Sequence, residues 1–189
     1  DINNVMRLLE NHDTDRFLLE DPENLNVYKQ AVTMLLTIPG IPQLYYGQEL
    51  LMTGSTKKDF GYVRPDMPGG WNGDEISVFQ ESGRTAMQQE AFNFMKKMLH
   101  WRKGNAAISK GKMKHFMPRS NVYVYERSYN GKSILVIMNG VNKEVDLDLT
   151  FYKEVIGDRT NSKNVLTDSN VPLGKKLHLQ PKEVLVLEL

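Results

Sequence analysis

The sequence contains no cysteine, which excludes disulfide scaffolds, thiolate metal sites and thiol nucleophiles. It has no apolar run that approaches the ~20 residues of a membrane-spanning helix. Neither sign of charge dominates, because 24 Lys and Arg residues balance 23 Asp and Glu residues and leave a formal net charge of +1. We therefore expect neither nucleic acid nor a membrane surface among the partners of the protein.

An initiator Met and a signal-peptide pattern are also missing, since the sequence opens at Asp1-Ile2-Asn3-Asn4. We interpret the chain as a fragment or a processed product. Its first residues therefore predict no compartment.

The first half of the sequence has the pattern of a strand, a helix and a second strand. The apolar run at residues 5–10 stops abruptly at a wholly polar segment, residues 11–16. Buried strands of parallel α/β sheets end in this way, and functional sites lie at their C-terminal ends. A surface strand that runs into a turn is the alternative interpretation.

The helix between these strands is predicted from its ends. Asp21-Pro22-Glu23 offers a capping carboxylate and a Pro at the first helical position. Pro39-Gly40 cannot continue a helix, so we expect it to end near Thr37. The second strand is predicted over Ile41–Tyr46.

A long irregular segment and another helix follow. Residues 53–84 are rich in Gly and Pro, and a loop of that length is uncommon in a compact domain unless it is functional. Residues 85–103 have helical periodicity that Gly104 ends. We expect its methionines (Met87, Met95 and Met98) to be core residues.

After Gly104 the sequence becomes rich in short β-type runs. Strands are predicted at residues 122–129, 133–139, 144–149 and 184–189. Asn130-Gly131 between the first two is a strong hairpin signal. The pattern predicts an antiparallel β-sandwich, with a domain boundary between residues 104 and 105.

Three groups of polar residues are candidates for the chemistry, and one of them is Gly47-Gln48-Glu49 at the end of the second strand. Residues 10–16 pack acids, an imidazole and a guanidinium behind a strand, which is compatible with a metal site, a sugar site or local ion pairs. The metal interpretation is weak, because no second His–carboxylate pair lies at ligand spacing. In the long loop, Asp59, Arg64, Asp66 and Trp71 can clamp a polyol through paired hydrogen bonds and an aromatic face. A purely structural loop is the alternative.

Four segments in the same order resemble glycoside hydrolase family thirteen, the α-amylase family. Residues 8–17 and 37–49 are similar to its seventh and eighth barrel strands, residues 99–108 to its last barrel helix, and residues 179–186 to the final strand of its C-terminal sandwich. The loop at residues 63–71 is most similar to neopullulanase and cyclomaltodextrinase members. The resemblance implies α/β plus all-β architecture: the end of a (β/α)8 TIM barrel at 1–104, then an antiparallel β-sandwich at 105–189.

The resemblance also implies a retaining hydrolase of α-1,4 and sometimes α-1,6 glucosidic bonds in maltodextrins or pullulan. The nucleophile Asp and the acid/base Glu would precede residue 1, so the chain alone would be inactive. Asp13 would be the third carboxylate, and His12 would donate to the same sugar hydroxyls. Asp59 and Arg64 would form a pair that blocks the non-reducing end of the glucan.

Arg16, Asp66 and Trp71 complete the predicted substrate-binding set, although Arg16 is better explained as an ion-pair partner of the loop. No metal site or cofactor is required here, and the resemblance leaves room for calcium in the parent protein. The implied partners are an α-glucan, the missing N-terminal part of the barrel and a second copy in a homodimer. A bacterial periplasm or cytoplasm would suit this role. A glucanotransferase of the same family and a non-catalytic sugar-binding module remain the alternatives.

Overall fold

The structure is a computed structural model that describes residues 2–19 and 25–189. The predicted helix start at Asp21-Pro22-Glu23 lies outside the described residues. The chain divides into two compact units. The first unit comprises Met6–Leu35 and Ile41–Lys97, and the second comprises Asp1–Val5, Leu36–Gly40 and Met98–Leu189. The predicted boundary between residues 104 and 105 stays a prediction.

The first unit contains the expected strand, helix and strand. Strand β1 (Met6–Arg7) pairs in parallel with β2 (Ile41–Pro42), and helix α1 (Leu25–Thr37) connects them. The predicted helix end at Thr37 is confirmed.

The strands themselves are shorter than predicted, and their apolar side chains are exposed, as expected for two barrel strands without the neighbours that would close the barrel. Met6 is 61% exposed and Ile41 is 55% exposed. Within the described chain, β1 and β2 pair only with each other. Their apolar side chains are therefore left uncovered, and the pairing stops after two residues.

Helix α2 spans Ala86–Lys103, within one residue of the prediction. Its start is a capping box: Gln88 N donates to Thr85 Oγ1 at 3.2 Å, and Thr85 N donates to Gln88 Oε1 at 3.0 Å. Met95 and Met98 are buried, which confirms them as core residues, and Met87 is half-buried.

The second unit consists mainly of antiparallel strands. Its elements in chain order are α3 (Ala106–Ser109), β3 (Lys112–His115), β4 (Val122–Tyr129), β5 (Lys132–Asn139), β6 (Val145–Asp148), α4 (Lys153–Ile156), β7 (Asn161–Asn164), β8 (Asn170–Pro172), β9 (Lys176–Leu179) and β10 (Val184–Glu188). Six strands form one sheet in the order β3-β4-β5-β10-β7-β8, and β6 pairs with β9 in a second sheet. The two sheets share one apolar core to which β4, β5, β6, β9 and β10 all contribute. This arrangement confirms the predicted sandwich.

The hairpin between β4 and β5 is also confirmed. Asn130 (φ 48°) and Gly131 (φ 79°) both have positive φ, as a two-residue type I′ turn requires. Strands β3, β7, β8 and β9 were not predicted. All four are only three or four residues long, and β7 (Asn-Ser-Lys-Asn) is wholly polar, whereas the alternating Lys-Leu-His-Leu of β9 was a strand signal that was missed.

Candidate functional site

The polar segment that follows β1 forms a tight loop that presents Asp13. Asn11 Oδ1 accepts a hydrogen bond from Asp13 N at 2.8 Å, and Asn11 N donates to Thr14 Oγ1 at 3.0 Å. Asn and Thr side chains commonly fold short loops in this way. The Asp13 side chain is left 61% exposed. It is therefore accessible to a ligand from the first unit's surface.

Both carboxylate oxygens of Asp13 have a cationic or imidazole neighbour. Arg64 Nη2 donates to Asp13 Oδ1 at 3.0 Å, and His12 Nε2 lies 3.1 Å from Asp13 Oδ2. Arg64 Nε also donates to the His12 carbonyl at 2.8 Å. The structure thus brings together His12, Asp13 and Arg64, although 51 residues separate the last two.

A buried arginine lies beneath this surface group. Arg16 Nη1 donates to Glu10 Oε1 at 3.0 Å and to the Tyr46 carbonyl at 2.6 Å, while Arg16 Nε donates to the Val63 carbonyl at 3.0 Å. Its side chain is 0% exposed and that of Glu10 is 3% exposed. The ring of Tyr45 covers the guanidinium, with the ring centroid 4.1 Å from Arg16 Cζ.

This placement corrects the interpretation of Arg16 as a substrate-binding residue, because a fully enclosed guanidinium has no surface left for a sugar. The alternative, an ion-pair partner that serves the loop, fits the contacts. Arg16 joins the Asp13 loop, the segment after β2 and the long loop. Burial raises the pKa of Glu10, while its hydrogen bonds from Phe17 N and Arg16 act in the opposite direction.

A second connection ties the long loop to the Asp13 loop. Asp15 Oδ1 accepts hydrogen bonds from Thr56 N at 2.6 Å and from Thr56 Oγ1 at 2.9 Å. The Thr56 N–H holds the pKa of Asp15 below its usual value. Arg16 N donates to the Gly54 carbonyl at 3.0 Å. Residues 54–63 are thus fixed to the loop that carries Asp13 at several independent points.

The segment between β2 and the long loop turns sharply at Gly47. Its φ is +78°, and a Cβ at this position would collide with the Met52 side chain. The positive φ is the reason that glycine is favoured at this position. The turn sets Tyr45 and Tyr46 against Arg16, and Tyr46 Oη donates to the Pro65 carbonyl at 2.8 Å.

Asp59 and Arg64 do not form the pair that the resemblance implied. Asp59 Oδ1 accepts from Gly61 N at 2.7 Å and so caps the short 3-10 helix Phe60–Val63. Among the described residues, the carboxylate that pairs with Arg64 is Asp13. Local capping competes successfully for Asp59 because its partner N–H is only two residues away.

Asp66 and Trp71 lie further along the loop and both are exposed, Trp71 by 67%. Asp74 Oδ2 shapes the turn at Trp71 by accepting from Gly69 N at 2.7 Å and from Trp71 N at 3.1 Å. Phe60 and Tyr62 are likewise exposed, and the sequence prediction missed them. The presence of two aromatic residues within one polar loop was the sequence signal by which they could have been found. Exposed ring faces of this kind suit the apolar face of a pyranose.

In the described part of the chain, no group of three or more His, Asp or Glu side chains is arranged to hold a metal ion. No helix there is long and apolar enough to cross a membrane.

Two protein-family models match the sequence and together cover most of it. "Alpha amylase, catalytic domain" matches residues 2–88, and "Cyclo-malto-dextrinase C-terminal domain" matches residues 113–188. Their order agrees with the fold: the first match covers most of the strand–helix–strand part, and the second covers most of the sandwich.

Curated relatives include a cyclomaltodextrin glucanotransferase of a Bacillus species, 32% identical over 89% of this chain and 22% of that enzyme. A cyclomaltodextrinase of Thermoanaerobacter pseudethanolicus is 28% identical over 99% of this chain and 29% of that enzyme. The chain therefore spans between a fifth and a third of the length of these relatives.

Solved structures share the fold. An α-amylase of Geobacillus thermoleovorans, crystallised with acarbose, superimposes over 98% of this chain and 39% of that chain with a TM-score of 0.73 and 22% identity. A maltogenic amylase of S. marinus superimposes over 96% of this chain and 22% of that one, with a TM-score of 0.69 and 19% identity. These likenesses confirm the predicted fold class.

Proposed function

The chain belongs to the α-amylase family, and we propose that it supplies the third carboxylate, Asp13, of an enzyme that cleaves α-1,4 glucosidic bonds of maltodextrins or cyclodextrins. The observation that carries this proposal is the placement of Asp13. It is exposed in the loop that follows β1, Arg64 donates to one of its oxygens, His12 Nε2 lies 3.1 Å from the other, and the exposed ring of Trp71 lies on the long loop of the same unit.

Retaining glycosidases need two further carboxyl groups, a nucleophile and an acid/base, about 5–5.5 Å apart. We propose that residues preceding Asp1 in the complete polypeptide supply both of them. The described residues would then contribute recognition of the ring at the cleavage point. Cleavage of α-1,6 bonds, and of pullulan as a substrate, is a more specific part of the same proposal.

The chemical contribution of Asp13 follows from the transition state. Positive charge builds up on the sugar ring as the glycosidic bond breaks, and hydrogen bonds to the 2-hydroxyl strengthen as it does so. A carboxylate that accepts from the 2- and 3-hydroxyls therefore stabilises the transition state more than the ground state. An additional anion nearby also favours the protonated form of the general acid.

Product analysis of the complete polypeptide tests the proposal. Chromatography of products from β-cyclodextrin, maltoheptaose and pullulan should show short maltodextrins and glucose. The 189-residue chain by itself should release none. No cleavage of any of the three substrates by the complete polypeptide would overturn the proposal.

A glucanotransferase is the second candidate, because several relatives, including the one at 32% identity, are cyclomaltodextrin glucanotransferases. Transfer would appear as products longer than the maltoheptaose supplied, or as cyclic glucans. A non-catalytic sugar-binding module would bind maltoheptaose in titration calorimetry without forming any product.

A further inference from the structure

Arg64 has contacts that a simple sugar-binding arginine does not need. Its guanidinium makes hydrogen bonds to Asp13 Oδ1 at 3.0 Å and to the His12 carbonyl at 2.8 Å. The ring of Phe60 lies below it, with the centroid 5.1 Å from Arg64 Cζ. Two of its nitrogens and one of its faces are therefore used within the protein.

The pair cannot be explained by stability. The Arg64 side chain is 44% exposed and that of Asp13 is 61% exposed. Exposed ion pairs contribute about 0–1 kcal/mol, because solvent screens them and ordering two side chains costs entropy. The loop is already fixed by Arg16, through the Val63 carbonyl, and by Asp15, through Thr56.

What the pair does control is the orientation of the carboxylate. An ionised carboxylate has two oxygens with about four lone-pair positions. Arg64 occupies a position on Oδ1 and so restricts rotation of the carboxylate, while the His12 ring lies close to the other oxygen, with Nε2 3.1 Å from Oδ2. At least one position on each oxygen stays available, which matches two neighbouring hydroxyls of a sugar ring.

We propose that Arg64 is a positioning residue that presents Asp13 to the sugar ring, rather than a residue that binds the far end of the glucan. The inference rests on the proposed function of Asp13. Small displacements of a catalytic group can lower the rate by up to about 100-fold. Loss of Arg64 should therefore act on turnover through Asp13, not on substrate affinity.

The test is a double-variant cycle in the complete polypeptide with 4-nitrophenyl α-maltotrioside as substrate. Arg64→Ala should lower kcat about 10- to 100-fold and change KM less than about threefold. In an Asp13→Asn background the same change should lower kcat less than about twofold, because there is no charged carboxylate left to position. Arg64→Lys should recover part of kcat, since one of the two hydrogen bonds can still form.

Lys57→Ala is the matched control, because it removes an exposed cation from the same loop whose charge acts on Asp15 and not on Asp13. It should leave kcat and KM unchanged. A rise in KM with kcat preserved, or equal effects of Arg64→Ala with and without Asp13, would overturn the positioning role. If Asp13→Asn itself retains full activity, the proposed function fails instead, and the two failures are distinguishable.

Discussion

Two arginine–carboxylate pairs in the first unit have the same nitrogen–oxygen distance and opposite surroundings. Arg16–Glu10 and Arg64–Asp13 both have a nitrogen–oxygen distance of 3.0 Å. The first pair is almost completely buried, whereas roughly half of the second is exposed. Distance alone therefore does not tell which pair maintains the fold and which one serves a ligand. The burial of each pair and the other hydrogen-bond partners of its arginine distinguish the two roles.

Asp13→Asn in the complete polypeptide tests whether the exposed pair serves catalysis. Loss of the charge should lower turnover by about 10³-fold or more, because several kcal/mol of transition-state stabilisation are removed. The midpoint of thermal unfolding should stay within about 2 °C, since the side chain is exposed. Near-normal turnover on maltoheptaose would show that Asp13 is not the third carboxylate.

At the buried pair, Arg16–Glu10, we expect a large loss of stability. Arg16→Met leaves the Glu10 carboxylate buried without its cation, which should lower the free energy of unfolding by roughly 3–5 kcal/mol. Urea unfolding of the complete polypeptide measures this loss. The variant Glu10→Leu/Arg16→Met removes both charges and should regain much of it. A loss below about 1 kcal/mol in Arg16→Met would mean that the buried pair is not what maintains this region.

Arg64→Ala tests how much the exposed pair contributes to the free energy of unfolding. Because the pair is exposed and the loop has other anchors, the free energy of unfolding should fall by less than about 1 kcal/mol. The same urea titration gives the value, with Lys57→Ala as reference. A loss as large as that of Arg16→Met would contradict the division between a structural and a ligand-facing pair.

The smallest effect is expected at an exposed pair in the second unit. His178 Nδ1 lies 2.9 Å from Asp146 Oδ1, Glu144 lies 3.6 Å from His178 Nε2, and Lys176 lies 3.9 Å from Asp146. The hydrogen bond with Asp146 raises the pKa of His178 above 6.5, and the same bond lowers the pKa of Asp146 below 3.8.

The sign of the pH dependence follows from these two shifts. The stabilisation from His178 is complete below pH 6.5 and is lost as the pH rises through its higher folded-state pKa. The contribution of Asp146 is complete above pH 3.8 and is lost on acidification. The thermal midpoint of wild type should thus exceed that of His178→Gln slightly near pH 5 and equal it near about pH 9. A difference that grows toward high pH would contradict the assignment.

The two pairs also show which features could be predicted from the sequence and which could not. The positions of α1, α2 and the β4–β5 hairpin followed from local signals, namely Pro39-Gly40, helical periodicity and Asn130-Gly131. The chemistry of residues 10–16 and of the loop was visible as residue types. What the sequence did not predict is which acid pairs with which arginine.

That pairing is decided by contacts between distant segments. Asp59 is five residues from Arg64 and was the expected partner, yet Asp13 lies 51 residues away and takes its place. The burial of Arg16 likewise depends on Tyr45, Tyr46 and Val63, which only the folded chain assembles. Local patterns cannot carry such information, because they describe neighbours along the chain.

The strand order of the large sheet has a consequence for synthesis on the ribosome. Strand β10 lies between β5 and β7, so both halves of that sheet depend on a strand that is translated after all of them. Until residues 184–188 leave the exit tunnel, the apolar edge of β5 is without its neighbour. A premature stop codon between residues 140 and 183 would therefore yield a product in which β5 has an open, aggregation-prone edge.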